Sequence, residues 1–193
     1  SHMLGRDIAG LGALDMGGAS SQISFAPPSD EAPVLADAYH LTRDGTTSLL
    51  YSHSYMRSGE SEGETRVAEL LAADAEAGGR DVDAGRPLTN PCYNRGYSQT
   101  VRVPAHPAAR PPSSRGANAS ANSNANAVDR KLLLVGSGDW EACRALTLRL
   151  VHLDYECTLA PCALQGVYQP SPAGVTFYAT SGFFFVATGL GLA

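Results

Sequence analysis

Three polar side chains near the amino terminus have the types and spacing that transfer of a phosphoryl group to water would need. They lie in the segment GALDMGGASSQISF, residues 12–25. Asp15 ends an apolar run, and its carboxylate could hold a hydrated Mg²⁺ or Ca²⁺, because these hard cations prefer oxygen ligands. Ser20 and Gln22 could orient a water molecule for in-line attack, a task that requires position more than basicity. The segment contains no base for the proton of that water.

A glycine-rich turn separates the acid from the water-positioning pair. Gly17, Gly18 and Ala19 have little or no side chain, so their backbone N–H groups could approach a phosphate closely. The same residues also fit an ordinary tight hairpin, in which Asp15 bonds to nearby backbone and caps the turn. A string as short as D-x-G-G-x-S does not decide between these two interpretations.

Two short strands, at residues 10–16 and 20–26, are expected to position these groups. Side chains alternate between the two faces of a strand, so Ser20 and Gln22 share one face of the second strand. Phe25 falls on the opposite, apolar face. That face can pack into a core while Ser20 and Gln22 point together into a cleft.

The remaining elements are predicted from turn signals and apolar periodicity. A second hairpin surrounds Asp44-Gly45, and an amphipathic helix covers about residues 61–77. A strand at 132–135 leads through Gly136-Ser137-Gly138 into a helix at 139–153. This second glycine turn could bind phosphate at a helix N-terminus, but it lacks the Lys-Ser/Thr of a Walker loop, and a plain strand-to-helix turn is favoured. The apolar C-terminal run, FYATSGFFFVATGLGLA, is predicted to form a buried helix or strand.

Length and composition restrict the class and the partners of the protein. A chain of 193 residues suits about one domain. Fourteen basic and nineteen acidic residues leave a net charge of −5, which argues against a nucleic-acid-binding surface. No apolar run is long enough for a membrane span. Residues 1–3 are interpreted as a tag remnant, 4–193 as the domain, and the Pro-, Ala-, Asn- and Ser-rich stretch 104–128 as an exposed, disordered insert.

The chain has an even number of cysteines, with no zinc-ligand spacing among them: Cys92, Cys143, Cys157 and Cys162. Two disulfides in a protein of the secretory pathway are favoured over four buried thiols in a cytosolic one. The glycosylation sequon Asn118-Ala119-Ser120 supports this interpretation. Because no signal peptide is present, a secreted origin would require that the sequence begins inside a longer chain.

Several motifs, taken in order along the chain, resemble one protein family. ALDMGGASSQISF is similar to the fourth conserved region of the ecto-nucleoside triphosphate diphosphohydrolases, the GDA1/CD39-type apyrases, D-[LM]-G-G-A-S-[TS]-Q-I. LYSHSYM resembles the family's Y-T-H-S-F-L, NPCYNRGY its P-C-[FW]-x-x-G-[YF], and VGSGDWEAC its G-x-G-[DN]-[YW]-x-x-C. The stretch from CTLAPC to GFFF resembles the run that ends in the fifth conserved region, [AS]-F-S-A-F-[YF]-[YF]. The chain is identified as a member of this family.

The resemblance implies roles for individual residues. Asp15 matches the aspartate that holds the divalent metal, Ca²⁺ or Mg²⁺, through water. Residues 17–19 match the second phosphate-binding loop, and Ser20 and Gln22 match the residues that position the nucleophilic water. Phe185 falls where the family places an aromatic ring that stacks on the nucleobase; without the resemblance, this aromatic run would be interpreted as core.

The resemblance also implies a fold, a disulfide pattern and one departure from the pattern. The expected class is α/β, with a mixed β-sheet flanked by helices in an RNase H-like lobe of the actin-like superfold, the second of the two lobes of an apyrase. Cys92 would pair with Cys143, and Cys157 with Cys162. Thr180 stands where the family has Phe, a difference whose consequence the sequence does not reveal.

The family's first conserved region and its Glu general base have no counterpart in the sequence. The resemblance therefore implies a parent enzyme, secreted or membrane-anchored and extracellular or lumenal, that hydrolyses nucleoside tri- and diphosphates to the monophosphate by direct attack of water. This chain without its N-terminal lobe is expected to be inactive, because stabilising the transition state requires groups from both lobes. The alternatives are a lumenal nucleoside diphosphatase acting on GDP or UDP, a kinase- or chaperone-type ATPase of the same superfold, and a non-catalytic binding or antigenic domain.

Overall fold

The computed structural model describes residues 10–27, 37–43, 45–104, 129–152 and 155–192. Backbone proximity divides the chain into two compact units: residues 1–66 with 145–193, and residues 67–144. The residues interpreted as a tag remnant, the sequon at Asn118 and all of the predicted insert except Pro104 lie outside the described residues. So do Asp44, at the predicted second turn, and the last residue of the helix predicted at 139–153.

A five-stranded mixed sheet forms the first unit. Its strands are β1 (Leu11–Met16), β2 (Ser20–Phe25), β3 (Ala38–Arg43), β4 (Thr46–Met56) and β8 (Thr176–Ser181), in the spatial order β3-β4-β2-β1-β8. The pair β1–β8 is parallel, and the other neighbours are antiparallel. Both predicted hairpins are therefore present, and strand β8 brings the C-terminal region beside the first strand.

One face of this sheet carries the core of the first unit. Phe25 is fully buried, and its ring contacts those of Tyr51 and Phe177. Tyr51 donates a hydrogen bond to the Tyr168 carbonyl at 2.8 Å. The opposite face of β2 carries hydroxyl and amide groups, as the period-two alternation predicts.

Three helices accompany the sheets: α1 (Glu60–Ala77), α2 (Trp140–Val151) and α3 (Gly182–Gly189). Helix α1 begins one residue before the predicted position, with the Gly59 carbonyl accepting the first helical hydrogen bond, from the Gly63 N–H at 2.7 Å. Its buried residues are Ala68 and Ala72. Leu146 is the buried residue of α2.

The second unit has a three-stranded sheet with its own core. Its strands are β5 (Leu88–Asn90), β6 (Ser98–Val103) and β7 (Arg130–Gly136), in the order β5-β7-β6. A cluster of buried apolar side chains joins these strands to α1: Ala68, Ala72, Val82, Leu88, Val101, Val103, Leu132 and Leu134. Arg130 forms ion pairs with Glu76 at 2.6 Å and Asp83 at 3.1 Å. The hydrogen bond to the Glu76 carboxylate raises the pKa of Arg130 most, so this cation stays charged.

Both disulfides that the family pattern implies are present in the structure. Cys92 is bonded to Cys143 in the second unit, and Cys157 to Cys162 in the first. The first bridge closes a much longer segment, with a sequence separation of 51 residues against 5 for the second. It therefore restricts the unfolded chain more, whereas the second shapes a local turn.

The prediction that the C-terminal apolar run is buried is wrong. It forms strand β8 followed directly by helix α3, and the side chains of Phe184, Phe185 and Val186 are exposed. Helix α3 packs on β8 and β1 through its first residues, since Gly182 is the buried position of the helix. Among the described residues, no helix is both long and apolar enough to cross a membrane.

Candidate active site

Asp15 lies near the carboxyl end of β1 and accepts two hydrogen bonds on the same carboxylate oxygen. Oδ1 accepts from the hydroxyl of Thr180 at 2.8 Å and from that of Ser181 at 2.6 Å. The parallel pairing of β1 with β8 places Thr180 directly opposite Asp15 and Ser181 opposite Met16. The partners of this aspartate are therefore 165 and 166 residues away in sequence.

The two hydroxyl donors keep the Asp15 carboxylate negatively charged. Hydrogen bonds to the charged form, first from Ser181 and then from Thr180, lower the pKa of Asp15 below its ordinary value, while burial opposes them. Within the described part of the chain, no group donates to Oδ2. One oxygen is thus fixed by protein hydroxyls, and the other is available to water or to a hydrated cation.

Ser181 adopts a backbone conformation that is rare for a residue with a side chain. Its φ is 52° and its ψ is −126°, at the junction between β8 and α3. Ser181 occupies the N-cap position of α3, yet its side chain makes no capping hydrogen bond there and bonds to Asp15 instead. Strained backbone of this kind costs about 1–3 kcal/mol and concentrates at functional sites.

Ser20 and Gln22 lie together on one face of β2, where the strand alternation predicts them. The Gln22 amide Nε2 donates to Ser20 Oγ at 2.5 Å and to Ser54 Oγ at 3.2 Å. Gln22 is also the cross-strand partner of Asp15. The amide N–H donors of Gln22 are thus occupied, which leaves its carbonyl Oε1 as an acceptor and the Ser20 hydroxyl proton as a donor.

The glycine-rich turn between β1 and β2 is exposed and only partly hydrogen-bonded. The Gly17 N–H donates to the Ser20 carbonyl at 3.0 Å and closes the hairpin. Among the described residues, the N–H groups of Gly18 and Ala19 have no backbone acceptor. Two adjacent backbone N–H groups, those of Gly18 and Ala19, are therefore available to bind an anion. Gly17 precedes them in the same turn.

The first residues of α1 hold this turn in place through backbone hydrogen bonds. The contact depends on Gly59, a residue that the sequence-based interpretation missed. The Glu60 N–H donates to the Gly17 carbonyl at 2.9 Å, and the Glu62 N–H to the Gly18 carbonyl at 3.0 Å. A Cβ on Gly59 would lie 2.5 Å from the Gly17 carbonyl oxygen and the Ser20 nitrogen. Only glycine fits there. A glycine two residues before the predicted start of the helix is the signal that marks this position.

Phe185, the residue matched to base stacking, lies on α3 and is 71% exposed. Its ring meets that of Phe184 edge-on, with centroids 5.8 Å apart. The interpretation of this run as core, made without the family resemblance, therefore does not hold for these two rings. An exposed aromatic face is available for stacking.

The donor set of the site fits a hydrated divalent cation better than a direct protein cage. The described residues contain no group of three or more His, Cys, Asp or Glu side chains that could hold a metal ion. Asp15 supplies one anionic oxygen, and the nearby Ser20 and Gln22 supply neutral oxygens. A hard cation that keeps most of its water shell suits such a set.

The second glycine turn, Gly136–Gly138, is hydrogen-bonded throughout. The N–H groups of Gly136, Ser137 and Gly138 donate to the carbonyls of Tyr97, Asn90 and Tyr93. The Asp139 N–H donates to the Pro91 carbonyl at 3.0 Å, and the Asp139 side chain accepts from the Ala142 N–H and caps α2. The interpretation as a plain strand-to-helix turn is confirmed, because no donor of the turn remains for a phosphate.

Comparisons with known proteins agree with this architecture. The model of the GDA1/CD39 (nucleoside phosphatase) family matches residues 6–192. The chain is 30% identical to ectonucleoside triphosphate diphosphohydrolase 3 of Mus musculus and 32% identical to ectonucleoside triphosphate diphosphohydrolase 8 of Bos taurus. Each alignment covers 94% of this chain, but only 32% and 33% of the respective relative. The chain thus spans about a third of the length of these relatives.

A solved structure supports the fold. The crystal structure of nucleoside triphosphate hydrolases from Neospora caninum superposes with a TM-score of 0.53 and 18% identity, covering 94% of this chain and 40% of that one. Together with the mixed sheet and its flanking helices, this likeness confirms the predicted α/β class of the RNase H-like, actin-like type. Because the family model matches residues 6–192, nearly the whole of this chain, the chain belongs to the GDA1/CD39 family of nucleoside phosphatases.

Proposed function

We propose that this chain is the part of an apyrase active site that binds nucleotide phosphate and metal, in an enzyme that hydrolyses nucleoside tri- and diphosphates to the monophosphate. One observation carries the proposal. A charged Asp15, the hydrogen-bonded pair Ser20–Gln22 and two backbone N–H donors without an acceptor in the described part of the chain all belong to a single β-hairpin.

Each part of the hairpin has a role in this proposal. The N–H groups of Gly18 and Ala19 bind phosphate oxygens. Because Gly17 has no side chain, it leaves room for the phosphate to approach these N–H groups. The Ser20 hydroxyl and the Gln22 carbonyl orient the attacking water, since Gln22 uses its own N–H groups on Ser20 and Ser54. Oriented attack reduces the entropic part of the barrier.

Asp15 would hold a hydrated Ca²⁺ or Mg²⁺ through water. Bound there, the cation would neutralise negative charge on the phosphates. Asp15 itself is a poor base for the attacking water because its hydroxyl partners lower its pKa. Ser20 and Gln22 are not bases at neutral pH. None of these three residues is thus suited to take the proton, and the family pattern offers a Glu of the N-terminal lobe for that role.

Phe185 completes the nucleotide site by stacking on the base. Its exposed ring provides the required apolar face. An extracellular or lumenal location is proposed for the parent protein, since the two disulfides persist in an oxidising compartment and the similar mammalian proteins are named as ectonucleotidases.

The experiment that tests the proposal measures binding and turnover separately on this chain. Titration calorimetry with the non-hydrolysable analogue AMP-PNP and Mg²⁺ should detect binding that Asp15→Asn weakens by about tenfold or more. Phosphate release from ATP should not exceed a protein-free blank. The matched control is Thr176→Val, on the same sheet but without a contact to Asp15, which should bind as the wild type does.

Two results would contradict the proposal. Equal AMP-PNP binding by the wild type and Asp15→Asn would remove Asp15 from the metal site. Phosphate release well above the blank that Asp15→Ala abolishes would show that the chain needs no base from another lobe. In the full-length parent, relative rates on ATP, ADP, GDP and UDP would separate an apyrase from a nucleoside diphosphatase.

A further inference from the structure

We propose that Thr180 and Ser181 are positioning residues that fix the Asp15 carboxylate in the orientation needed to hold the hydrated cation. This inference rests on the proposed function, because it concerns the orientation of the side chain that is proposed to hold the metal. The two residues end strand β8, and the following helix α3 begins at Gly182. We call residues 180–182 the β8–α3 elbow.

The pattern of the two hydrogen bonds is the first argument. An aspartate at the exposed end of a strand can rotate about two side-chain bonds. Here Thr180 and Ser181 both donate to Oδ1, at 2.8 and 2.6 Å. Two donors on one oxygen restrict that rotation and direct Oδ2 away from the elbow. Because the carboxylate is already held in one orientation, it loses little conformational entropy when it binds the water shell of a cation.

The backbone of the elbow is the second argument. Ser181 is held at φ 52° and ψ −126°, and its hydroxyl bonds to Asp15 rather than capping α3. Gly182 allows this close approach, since a Cβ there would lie 3.0 Å from the Met16 carbonyl oxygen and 3.2 Å from the Met16 Cβ. The elbow is therefore packed against the end of β1, beside Asp15.

The identity of residue 180 is the third argument. In this chain the Thr180 hydroxyl donates to Asp15 Oδ1 and also lies 3.1 Å from the Leu14 carbonyl oxygen. Both acceptor oxygens belong to β1, so the Thr180 hydroxyl is held against the strand that carries the carboxylate.

The test measures Mn²⁺ binding by electron paramagnetic resonance, with AMP-PNP present, on the chain and its variants. Ser181→Ala and Thr180→Val each remove one hydroxyl, and each should weaken Mn²⁺ binding by about tenfold. Thr180→Ser keeps the donor and should bind within about twofold of the wild type. Thr176→Val removes a hydroxyl from the same strand far from Asp15 and should leave Mn²⁺ binding unchanged.

The variant Ser181→Gly distinguishes an effect on the stability of the fold from an effect on the orientation of the Asp15 carboxylate. Glycine relieves the positive φ but removes the hydroxyl, so this variant should unfold at a temperature at or above that of Ser181→Ala and still bind Mn²⁺ as weakly. Restored binding in Ser181→Gly would overturn the inference, because backbone strain rather than the hydroxyl would then set affinity.

The outcomes distinguish this inference from the proposed function. Weak binding in Asp15→Asn together with wild-type binding in Ser181→Ala and Thr180→Val would overturn the positioning role and leave the metal role of Asp15 intact. Wild-type binding in Asp15→Asn would overturn both. Weakened binding in Thr180→Val that Thr180→Ser restores would support the positioning role.

Discussion

The two glycine-rich turns of this protein look alike in sequence and differ in what their backbone does. Gly17–Ala19 leaves the N–H groups of Gly18 and Ala19 without a backbone acceptor among the described residues. In Gly136–Gly138 every N–H donates to a carbonyl of the same unit. Glycine content therefore shows only where a backbone can bend or lie close to a neighbouring group. Whether an anion can bind depends on whether the N–H groups of the turn already donate to protein carbonyls.

The reason for glycine also differs between the turns. A Cβ on Gly136 would lie 2.0 Å from the Asn94 carbonyl oxygen, so packing alone requires glycine there. A Cβ on Gly17 would meet only the Ser20 carbonyl oxygen, at 3.9 Å. Packing among the described residues therefore does not demand glycine at position 17, which is compatible with the proposed access of a phosphate to this turn.

The largest effect is expected at the second turn. Gly136→Ala forces a methyl group into the Asn94 carbonyl, and the free energy of unfolding should fall by about 3 kcal/mol or more. Urea unfolding followed by circular dichroism measures the loss. Gly63→Ala is the matched control: it lies in α1 with nothing near its would-be Cβ, and it should be stabilising by up to about 1 kcal/mol. Equal stability of Gly136→Ala and the wild type would show that packing does not explain this glycine.

A somewhat smaller effect is expected where α1 supports the first turn. Gly59→Ala places a methyl group 2.5 Å from the Gly17 carbonyl oxygen and the Ser20 nitrogen. The turn must shift, which should cost about 1–3 kcal/mol of stability and weaken AMP-PNP binding. Measuring both tests whether helix and turn act together, and unchanged AMP-PNP binding in a destabilised variant would show that they do not.

Gly17→Ala should change function with little change in stability. Its φ is not in the left-handed region and its surroundings are open, so the free energy of unfolding should stay within about 0.5 kcal/mol of the wild type. AMP-PNP affinity should fall, because the methyl group narrows the approach to the Gly18 and Ala19 donors. Calorimetry and urea unfolding of the same protein check both parts. Wild-type affinity here would indicate that the first turn, like the second, is only structural.

The smallest effect is expected in acid. Hydroxyl donors lower the pKa of Asp15 in the folded chain, so its contribution to stability is present above its ordinary pKa of 3.8 and is lost as the pH falls through the lower folded value. From about pH 5 to about pH 3, the wild type should therefore lose slightly more stability than Asp15→Asn. Unfolding curves at several pH values measure the difference. Parallel pH profiles would show that the two hydroxyls do not favour the charged carboxylate.

The sequence predicted the local parts of the site and none of its long-range parts. Strand alternation correctly placed Ser20 and Gln22 on one face, since that relation depends on neighbouring residues only. The partners of Asp15 depend on the parallel pairing of β1 with β8, which no local pattern encodes. The support from Gly59 depends on how a helix meets a turn about forty residues earlier. For the same reason the exposure of Phe184 and Phe185 was missed, since an apolar run alone predicts burial.

The pairing of β1 with β8 has a consequence for the order in which the site forms during synthesis. The β1–β2 hairpin leaves the ribosome before its neighbour β8, which follows some 150 residues later. Until Thr180 emerges, the nascent chain holds a β1–β2 hairpin in which Asp15 has neither of its hydroxyl partners. Contacts of such high sequence separation form slowly. The hydrogen bonds to Asp15 therefore form at a late stage of folding, after the second unit has already been synthesised.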